Sequence, residues 1–135
     1  MEQVMVEKLI DTAIEQLKFS YTPYSNFKVG AALLTKSGKI YTENASYTPT
    51  NCAERTAFFK AVSEGVRDFQ AICIVGGKDG KLTEYTAPCG VCRQVMMEFC
   101  NPKTFQIILA VDKERYEICT LEELMPLGFG PLNLV

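Results

Sequence analysis

Helix-type and strand-type apolar patterns alternate along this chain, and their order restricts the possible fold more than any other feature of the sequence. The opening segment VMVEKLIDTAIEQLKFS repeats apolar residues at helical spacing. FKVGAALLT and KIYTEN follow as strand-type runs on either side of the turn signal KSGK. These segments predict a helix and then a β-hairpin.

The rest of the chain continues this alternation. A helix is predicted from Cys52 to about Glu64, because Gly65 is a typical residue after a helix end. FQAICIVGG, TFQIILAVD and RYEICT are strand-type runs, and CGVCRQVMMEFC has helical spacing. TLEELMP begins a short helix with the capping-box pattern of Thr120 and Glu123. This order predicts an α/β fold, a three-layer α/β/α sandwich with a mixed five-stranded sheet, and 135 residues predict a single domain over 1–135.

The charge balance argues against nucleic acid as a partner. The formal net charge is -2, so no overall positive field attracts a phosphate backbone. No segment approaches the roughly 20 apolar residues of a membrane span. The opening MEQVMVEKLI also lacks the basic flank of a targeting signal. We therefore expect a cytoplasmic protein with neither a nucleic-acid nor a membrane partner.

The chain contains six cysteines and no histidine. In a cytoplasmic protein such cysteines more often bind metal or stay reduced than form disulfides. Cys89 and Cys92, in PCGVC, would lie one turn apart on the same face of a helix that begins near Pro88. Cys52 begins the preceding helix. Since the N-termini of these two helices can meet at one edge of the sheet, we expect the three thiols to converge there.

Three converging thiols favour zinc. Helix N-termini stabilise thiolates, and zinc accepts three thiolates in a tetrahedral site whose fourth position stays open for a water. Glu54, two residues after Cys52, is the candidate to move the proton of that water. Zinc with three thiolates carries a formal charge of about -1, which calls for a neighbouring cation. Arg55 is the candidate to donate hydrogen bonds to the sulfurs.

Other interpretations of these cysteines remain open on spacing alone. Cys89 and Cys92 could form a redox pair. A closed structural zinc site would need a fourth thiol from the remaining cysteines, which are Cys73, Cys100 and Cys119. Two of these three lie in strand-type runs, where inert buried thiols are common. Taken singly, Glu54 and Arg55 would be ordinary charges on a helix surface.

Three segments, PYSNFKVGAALLT, ENASYTPTNCAERTAFFKA and PCGVCRQV, closely resemble the small zinc-dependent cytidine deaminases. A related signature places a metal ligand, any residue and Glu before a later P-C-x-x-C, with a three-cysteine version. The likeness runs from the first helix to FGPLNL near the end. It implies hydrolytic deamination of cytidine and 2′-deoxycytidine to uridine and 2′-deoxyuridine, with release of ammonia, in pyrimidine salvage.

The same resemblance implies roles for individual residues. Cys52, Cys89 and Cys92 match the ligands of one Zn²⁺ per subunit, Glu54 the catalytic proton shuttle, and Arg55 the arginine that offsets thiolate charge.

The resemblance also implies a homotetramer whose sites are shared between subunits. Phe129 matches a ring that reaches the base in an adjacent site, and Tyr47 matches an aromatic residue at the interface. Phe27 matches a residue lining the nucleoside pocket, and the backbone amide of Ala53 one that binds the pyrimidine. For the two phenylalanines, plain core packing is the alternative.

One segment departs from the family pattern. Members carry a Gly-Cys-Asn-hydrophobic segment before Glu-Asn-Ala, and its Asn and the Glu bind the ribose hydroxyls, whereas here Thr42 directly precedes Glu43. The loss of about four residues removes roughly 13 Å of strand, although an even number preserves the inward and outward alternation. Glu43 keeps its place, and Tyr41 stands where the Asn belongs. Three explanations are open: Asn44 replaces the lost amide, the pocket accepts another aminopyrimidine, or residues are missing between Thr42 and Glu43. The third explanation predicts that the alpha carbons of Thr42 and Glu43 lie much further apart than the usual distance of about 3.8 Å.

Three other functions are consistent with parts of this pattern. A deaminase of a modified aminopyrimidine nucleoside fits the shortened segment. A catalytically retired zinc-binding module also fits it, but such a module would not need Glu54. A polynucleotide deaminase would use a related zinc site, and the acidic charge balance disfavours it.

Overall fold

The computed structural model of the protein describes residues 1–20, 26–44 and 52–134, apart from the side chains of Glu43 and Asn44. Within these ranges the helices are α1 (Gln3–Glu15), α2 (Ala53–Ser63), α3 (Gly90–Phe99) and α4 (Leu121–Leu124). The strands are β1 (Phe27–Thr35), β2 (Ile40–Asn44), β3 (Phe69–Lys78), β4 (Gln106–Ala110) and β5 (Tyr116–Thr120). Short 3₁₀ helices follow α1 at Gln16–Phe19 and lie near the C-terminus at Pro131–Leu134. The order of elements is the predicted one.

The five strands form one mixed sheet in the order β2-β1-β3-β4-β5. β1 pairs antiparallel with β2 and β3, and β4 pairs antiparallel with β5. β3 and β4 are parallel neighbours, because the chain between them crosses over through α3. The predicted mixed five-stranded sheet is confirmed.

Alternate residues of β1 point into two separate cores. Ala32 and Leu34 lie in the core that α1 covers, whereas Ala31 and Leu33 lie in the core that α2 and α3 cover. The sheet is therefore sandwiched between one helix on one face and two on the other. The predicted three-layer α/β/α arrangement is confirmed.

Helix α2 is fixed to the sheet by an aromatic cluster. Phe58 is fully buried, and its ring centroid lies 4.8 Å from that of Phe69, 6.0 Å from Phe105 and 6.3 Å from Phe99. Such ring pairs add to the free energy gained by burying apolar area. Because Phe99 ends α3, the cluster also sets the position of α3 relative to α2.

On the opposite face, α1 packs unusually close to β1. A Cβ atom on Gly30 would overlap the carbonyl oxygen of Ala13 and lie 3.2 Å from the Cβ of Gln16. Only glycine fits at this close approach of helix to strand.

None of the helices in the described ranges is long and apolar enough to cross a lipid bilayer. The division into a single domain over 1–135 stays a prediction.

Candidate metal centre

Three thiols meet at the N-termini of α2 and α3. Cys52 is the residue that precedes α2, Cys89 precedes α3, and Cys92 lies in the first turn of α3. The Sγ atoms of Cys52 and Cys89 are 3.7 Å apart, and those of Cys89 and Cys92 are 3.3 Å apart. All three Sγ atoms lie within 4.8 Å of one another. The predicted convergence is confirmed.

These distances fit a zinc ion. A tetrahedral zinc with Zn–S bonds of about 2.3 Å places its sulfur ligands about 3.8 Å apart. The distance between the Sγ atoms of Cys52 and Cys89 is close to that value. The Sγ atoms of Cys89 and Cys92 need to move only slightly apart to reach it. Among the side chains that the structure describes, no fourth Cys, Asp or Glu joins the group. The three cysteines could therefore hold zinc with one position left for a further ligand.

The other cysteines lie away from this group. Cys73 is fully buried in the core on the α1 side of the sheet, where burial raises its pKa to about 12. Cys100 follows the far end of α3, about 15 Å along the helix axis from Cys89. Cys119 lies in β5. A closed four-cysteine site is therefore not formed by the described residues, and the third thiol of the group distinguishes it from a simple redox pair.

Glu54 is a buried carboxyl beside the thiols. It is the second residue of α2, only 4% exposed, and its Oε1 has no hydrogen-bond partner among the described residues. Burial raises the pKa of Glu54, and its own backbone N–H, the Cys92 thiol and the Arg55 guanidinium offset this only in part. A carboxyl with a raised pKa can both accept and donate a proton near neutral pH. Its unpartnered oxygen indicates a partner other than the described residues.

Arg55 lies against the metal ligands. Its Nη2 atom donates a hydrogen bond of 3.2 Å to the Sγ of Cys52. The bond to Cys52 raises the pKa of the guanidinium, so Arg55 carries its charge throughout the working pH range. A cation therefore lies where the sequence predicts one.

The two cysteines of the PCGVC loop differ in acidity. Burial is the largest influence on Cys89 and by itself would raise its pKa, but hydrogen bonds from the Cys92 backbone N–H, the Cys92 thiol and the Cys52 thiol outweigh it and lower the pKa. The pKa of Cys92 is raised, chiefly by burial and then by the Glu54 carboxylate. Cys89 is therefore the first of the two to become a thiolate when no metal is bound.

Three of the residues predicted to bind substrate have side chains that the structure describes. Ala53, the first residue of α2, is fully buried, and an N–H in a first helical turn has no acceptor within the helix. Phe27 is 42% exposed at the start of β1, and Phe129 is 60% exposed after α4. Tyr47 lies outside the described residues.

The backbone register separates two of the predicted nucleoside contacts. β2 pairs with β1 without interruption from Ile40 opposite Leu34 to Asn44 opposite Gly30, which places Glu43 opposite Ala31. Phe27 lies four residues further along β1, roughly 13 Å away. The shortened hairpin thus keeps a regular register, but it does not bring Glu43 beside Phe27.

Tyr41 points to the far end of α2. Its hydroxyl donates to Oε1 of Glu64, the residue that follows α2, at 3.1 Å, and Lys39 donates to the same oxygen at 3.1 Å. Cys52 lies at the opposite end of this 11-residue helix. Tyr41 therefore anchors β2 to the C-terminal end of α2 and does not stand in for a ribose-binding amide.

Sequence reasoning missed the two residues that follow Cys92. Arg93 donates from Nε to the carbonyl of Pro88 at 2.7 Å and from Nη1 to the carbonyl of Leu124 at 2.5 Å. Gln94 donates from Nε2 to the carbonyl of Phe129 at 2.9 Å. An arginine directly after a metal ligand was the only available signal, because carbonyl acceptors 31 and 35 residues away leave no pattern in the sequence.

A metal site with an acid–base group beside it is typical of proteins that carry out hydrolytic chemistry on a small substrate. Comparison with known families specifies the class. Residues 4–108 match the model of the cytidine and deoxycytidylate deaminase zinc-binding region. The chain belongs to this family.

Individual relatives agree with the family model. A cytidine deaminase from Sporosarcina psychrophila is 47% identical over 133 residues, which cover 96% of this chain and 94% of the relative. A blasticidin-S deaminase from Bacillus cereus is 32% identical, with 90% of each chain covered. A solved cytidine deaminase from Burkholderia pseudomallei superposes with a TM-score of 0.79 at 39% identity, covering 90% of this chain and 97% of that one. Zinc is therefore the metal of the three-thiol site.

Proposed function

We propose that this protein is a cytidine deaminase that converts cytidine and 2′-deoxycytidine, with water, to uridine and 2′-deoxyuridine and ammonia. The observation that carries the proposal is Glu54, a buried carboxyl beside three converged thiols, one oxygen of which has no partner among the described residues. A purely structural zinc site has no use for such a group. The similarity to named cytidine deaminases supports the choice of substrate.

The three cysteines and Glu54 have different roles in this reaction. Cys52, Cys89 and Cys92 would hold zinc, which supplies Lewis acidity toward water when bound. Glu54 would take a proton from the water and give it to the pyrimidine ring nitrogen as the water oxygen bonds to the carbon that bears the amino group. It would then move the second water proton to the amino nitrogen, the carbon–nitrogen bond breaks, and the amino group departs as ammonia while the carbon keeps the oxygen as a carbonyl. The raised pKa of Glu54 suits a group that must take up a proton and then release it.

Two further groups support this chemistry. Arg55 donates to Cys52 and so reduces the negative charge that three thiolates place on the metal site. The backbone N–H of Ala53, at the positive end of α2, is oriented by the helix to bind an oxygen of the pyrimidine.

The assembly is part of the proposal. We infer a cytoplasmic homotetramer acting in pyrimidine salvage, with Phe129 and Tyr47 contributed to neighbouring sites and Phe27 lining the nucleoside pocket. The C-terminal region supports an interface there, because several of its large apolar side chains are exposed in the single chain: Leu127, Phe129, Leu132 and Leu134. Exposed apolar residues grouped in this way are typical of surfaces that bury on association.

The test follows the loss of ultraviolet absorbance when zinc-loaded protein is given cytidine or deoxycytidine. We expect Glu54→Gln and Glu54→Ala to keep one zinc per chain and to lose about 10²- to 10⁴-fold in turnover, the usual contribution of a general acid–base group. The matched control is Glu114→Gln, because Glu114 is an exposed carboxylate in the β4–β5 turn. Unchanged metal content together with unchanged turnover in Glu54→Gln would show that the assignment of Glu54 is wrong.

A second candidate is deamination of another aminopyrimidine nucleoside. Two observations favour it: Glu43 is separated from Phe27 along the ladder, and the chain is similar to a blasticidin-S deaminase. If ribose recognition is altered in this way, Asn44 is the remaining amide near Glu43 that could contact the sugar.

A substrate panel separates these candidates. Cytidine, deoxycytidine, cytosine and blasticidin S are compared by kcat/KM with the same protein preparation. A preference for the first two supports the leading proposal, and a preference for blasticidin S supports the second. If none turns over although one zinc is bound per chain, the protein is a retired zinc-binding module.

A further inference from the structure

Arg93 connects the metal loop to α4. The residue directly follows the ligand Cys92, yet its side chain turns to two backbone carbonyls. The Nε hydrogen bond to Pro88 reaches the peptide group whose nitrogen belongs to Cys89. The Nη1 hydrogen bond to Leu124 reaches the last residue of α4.

The first of these bonds acts on a metal ligand. The carbonyl of Pro88 and the nitrogen of Cys89 share one planar peptide unit, so fixing the carbonyl fixes the orientation of that plane. Pro88 is itself buried, which limits other movements of the unit. Arg93 therefore restrains the backbone from which the Cys89 thiol projects.

The second bond ends on a well-held helix. Leu121, the first residue of α4, is fully buried and donates its N–H to the carbonyl of Phe105. Thr120 and Glu123 close a capping box at the same end. The carbonyl of Leu124 is one of those that a helix leaves without an internal partner, and Arg93 satisfies it. α4 is thus held firmly in the fold, and the hydrogen bond from Arg93 to Leu124 ties the metal loop to it.

The guanidinium group suits this task because of its shape. Its Nε and Nη1 donors lie in one rigid plane and can reach two carbonyls together, whereas a lysine ammonium is a single point of charge. We propose that Arg93 is a positioning residue that sets the geometry of the Cys89–Cys92 loop for zinc and couples it to α4. The inference rests on the zinc site and not on the identity of the substrate.

The test measures metal retention in Arg93→Gln and Arg93→Lys. Zinc-loaded protein is mixed with an excess of a chromogenic chelator, and the rate of zinc transfer is followed. Groups that orient metal ligands typically change metal affinity about 10- to 100-fold when removed, and we expect zinc retention to fall by that factor in both variants. Arg67→Gln is the matched control, because Arg67 is an exposed arginine ahead of β3; it should release zinc at the parental rate.

A spectroscopic measurement distinguishes positioning from general support of the fold. In the cobalt-substituted protein, the thiolate-to-metal and ligand-field bands report the geometry of the thiols. We expect both Arg93 variants to shift these bands. Unshifted bands with a lower melting temperature of the metal-free protein would reduce Arg93 to a structural residue and overturn the proposal. Parental zinc release in Arg93→Lys would show that charge suffices, which also overturns it.

Coupling to α4 is tested without touching Arg93. Thr120→Ala removes the capping box and loosens α4, so we expect faster zinc release, by a smaller factor than in Arg93→Gln. In the double variant that combines Arg93→Gln with Thr120→Ala, the second substitution should increase the zinc release rate only slightly more, because the hydrogen bond from Arg93 to α4 is already lost. Fully multiplicative effects on the zinc release rate would refute the coupling. Since every readout follows the metal, these results are independent of whether cytidine is turned over.

Discussion

Replacing Arg55 by glutamine should weaken zinc binding by an amount that the structure allows us to work out. The side chain donates a hydrogen bond of 3.2 Å from Nη2 to the Sγ of Cys52. A hydrogen bond to a charged group contributes about 1.5 to 3 kcal/mol, and one between neutral groups about 0.5 to 1.5 kcal/mol. Zinc binds the thiolate form of cysteine, so the bond from Arg55 to Cys52 is a bond to a charged group when zinc is bound.

The bond is therefore stronger in the zinc-bound protein than in the metal-free protein. The difference, about 1 to 2 kcal/mol, corresponds to a dissociation constant roughly 5- to 30-fold higher for Arg55→Gln. The glutamine amide ends about two bonds short of the position of Nη2, so Arg55→Gln removes the hydrogen bond together with the charge.

Competition with a chelator of known affinity at pH 7.5 gives the dissociation constants of the parent, of Arg55→Gln and of the exposed-arginine control Arg67→Gln. Arg55→Lys restores the charge without the planar guanidinium and should recover part of the affinity. Equal dissociation constants for the parent and Arg55→Gln would refute the reasoning, because they would show that the thiolates need no cation beside them.

Three further outcomes are expected. In metal-free protein, iodoacetamide followed by peptide mass spectrometry should label Cys89 before Cys73, since the pKa of Cys89 is lowered and burial raises that of Cys73 to about 12; zinc should protect Cys89. Gly30→Ala should lower the free energy of unfolding by about 1 to 3 kcal/mol in urea titrations, because the new methyl group overlaps a carbonyl of α1; full stability would show that α1 can shift at no cost. Glu64→Gln should lower the melting temperature at pH 7 but not well below pH 4, because the bond to Lys39 lowers the pKa of Glu64, and its stabilisation is lost as the pH falls from the ordinary value of about 4.3 through the folded value.

The elements and the metal ligands could be predicted from the sequence because each rests on local patterns. The spacing of Cys89 and Cys92 and the helix start at Cys52 are visible in a few residues, and the layered fold then leaves few ways to arrange the two helix N-termini. The same holds for the capping box of Thr120, which the structure confirms.

The contacts between distant segments could not be predicted in this way. The carbonyls that Arg93 binds are backbone atoms, which every residue has, so no residue type marks them. The partner of Glu43 across the hairpin depends on where the turn closes, and counting back from Cys52 cannot supply that register. The role of Tyr41 as an anchor to α2 likewise emerged only when Glu64 was found beside its hydroxyl.

The thiols of Cys52 and Cys89 belong to segments 37 residues apart, so a metal held between them closes a loop of that length. A covalent cross-link over the same loop would remove chain entropy from the unfolded state worth about 4 kcal/mol. The zinc ion thus also links the N-termini of two helices, in addition to its part in the chemistry. Removing it with a chelator would destabilise the folded chain, as a reductant destabilises a disulfide-bonded domain.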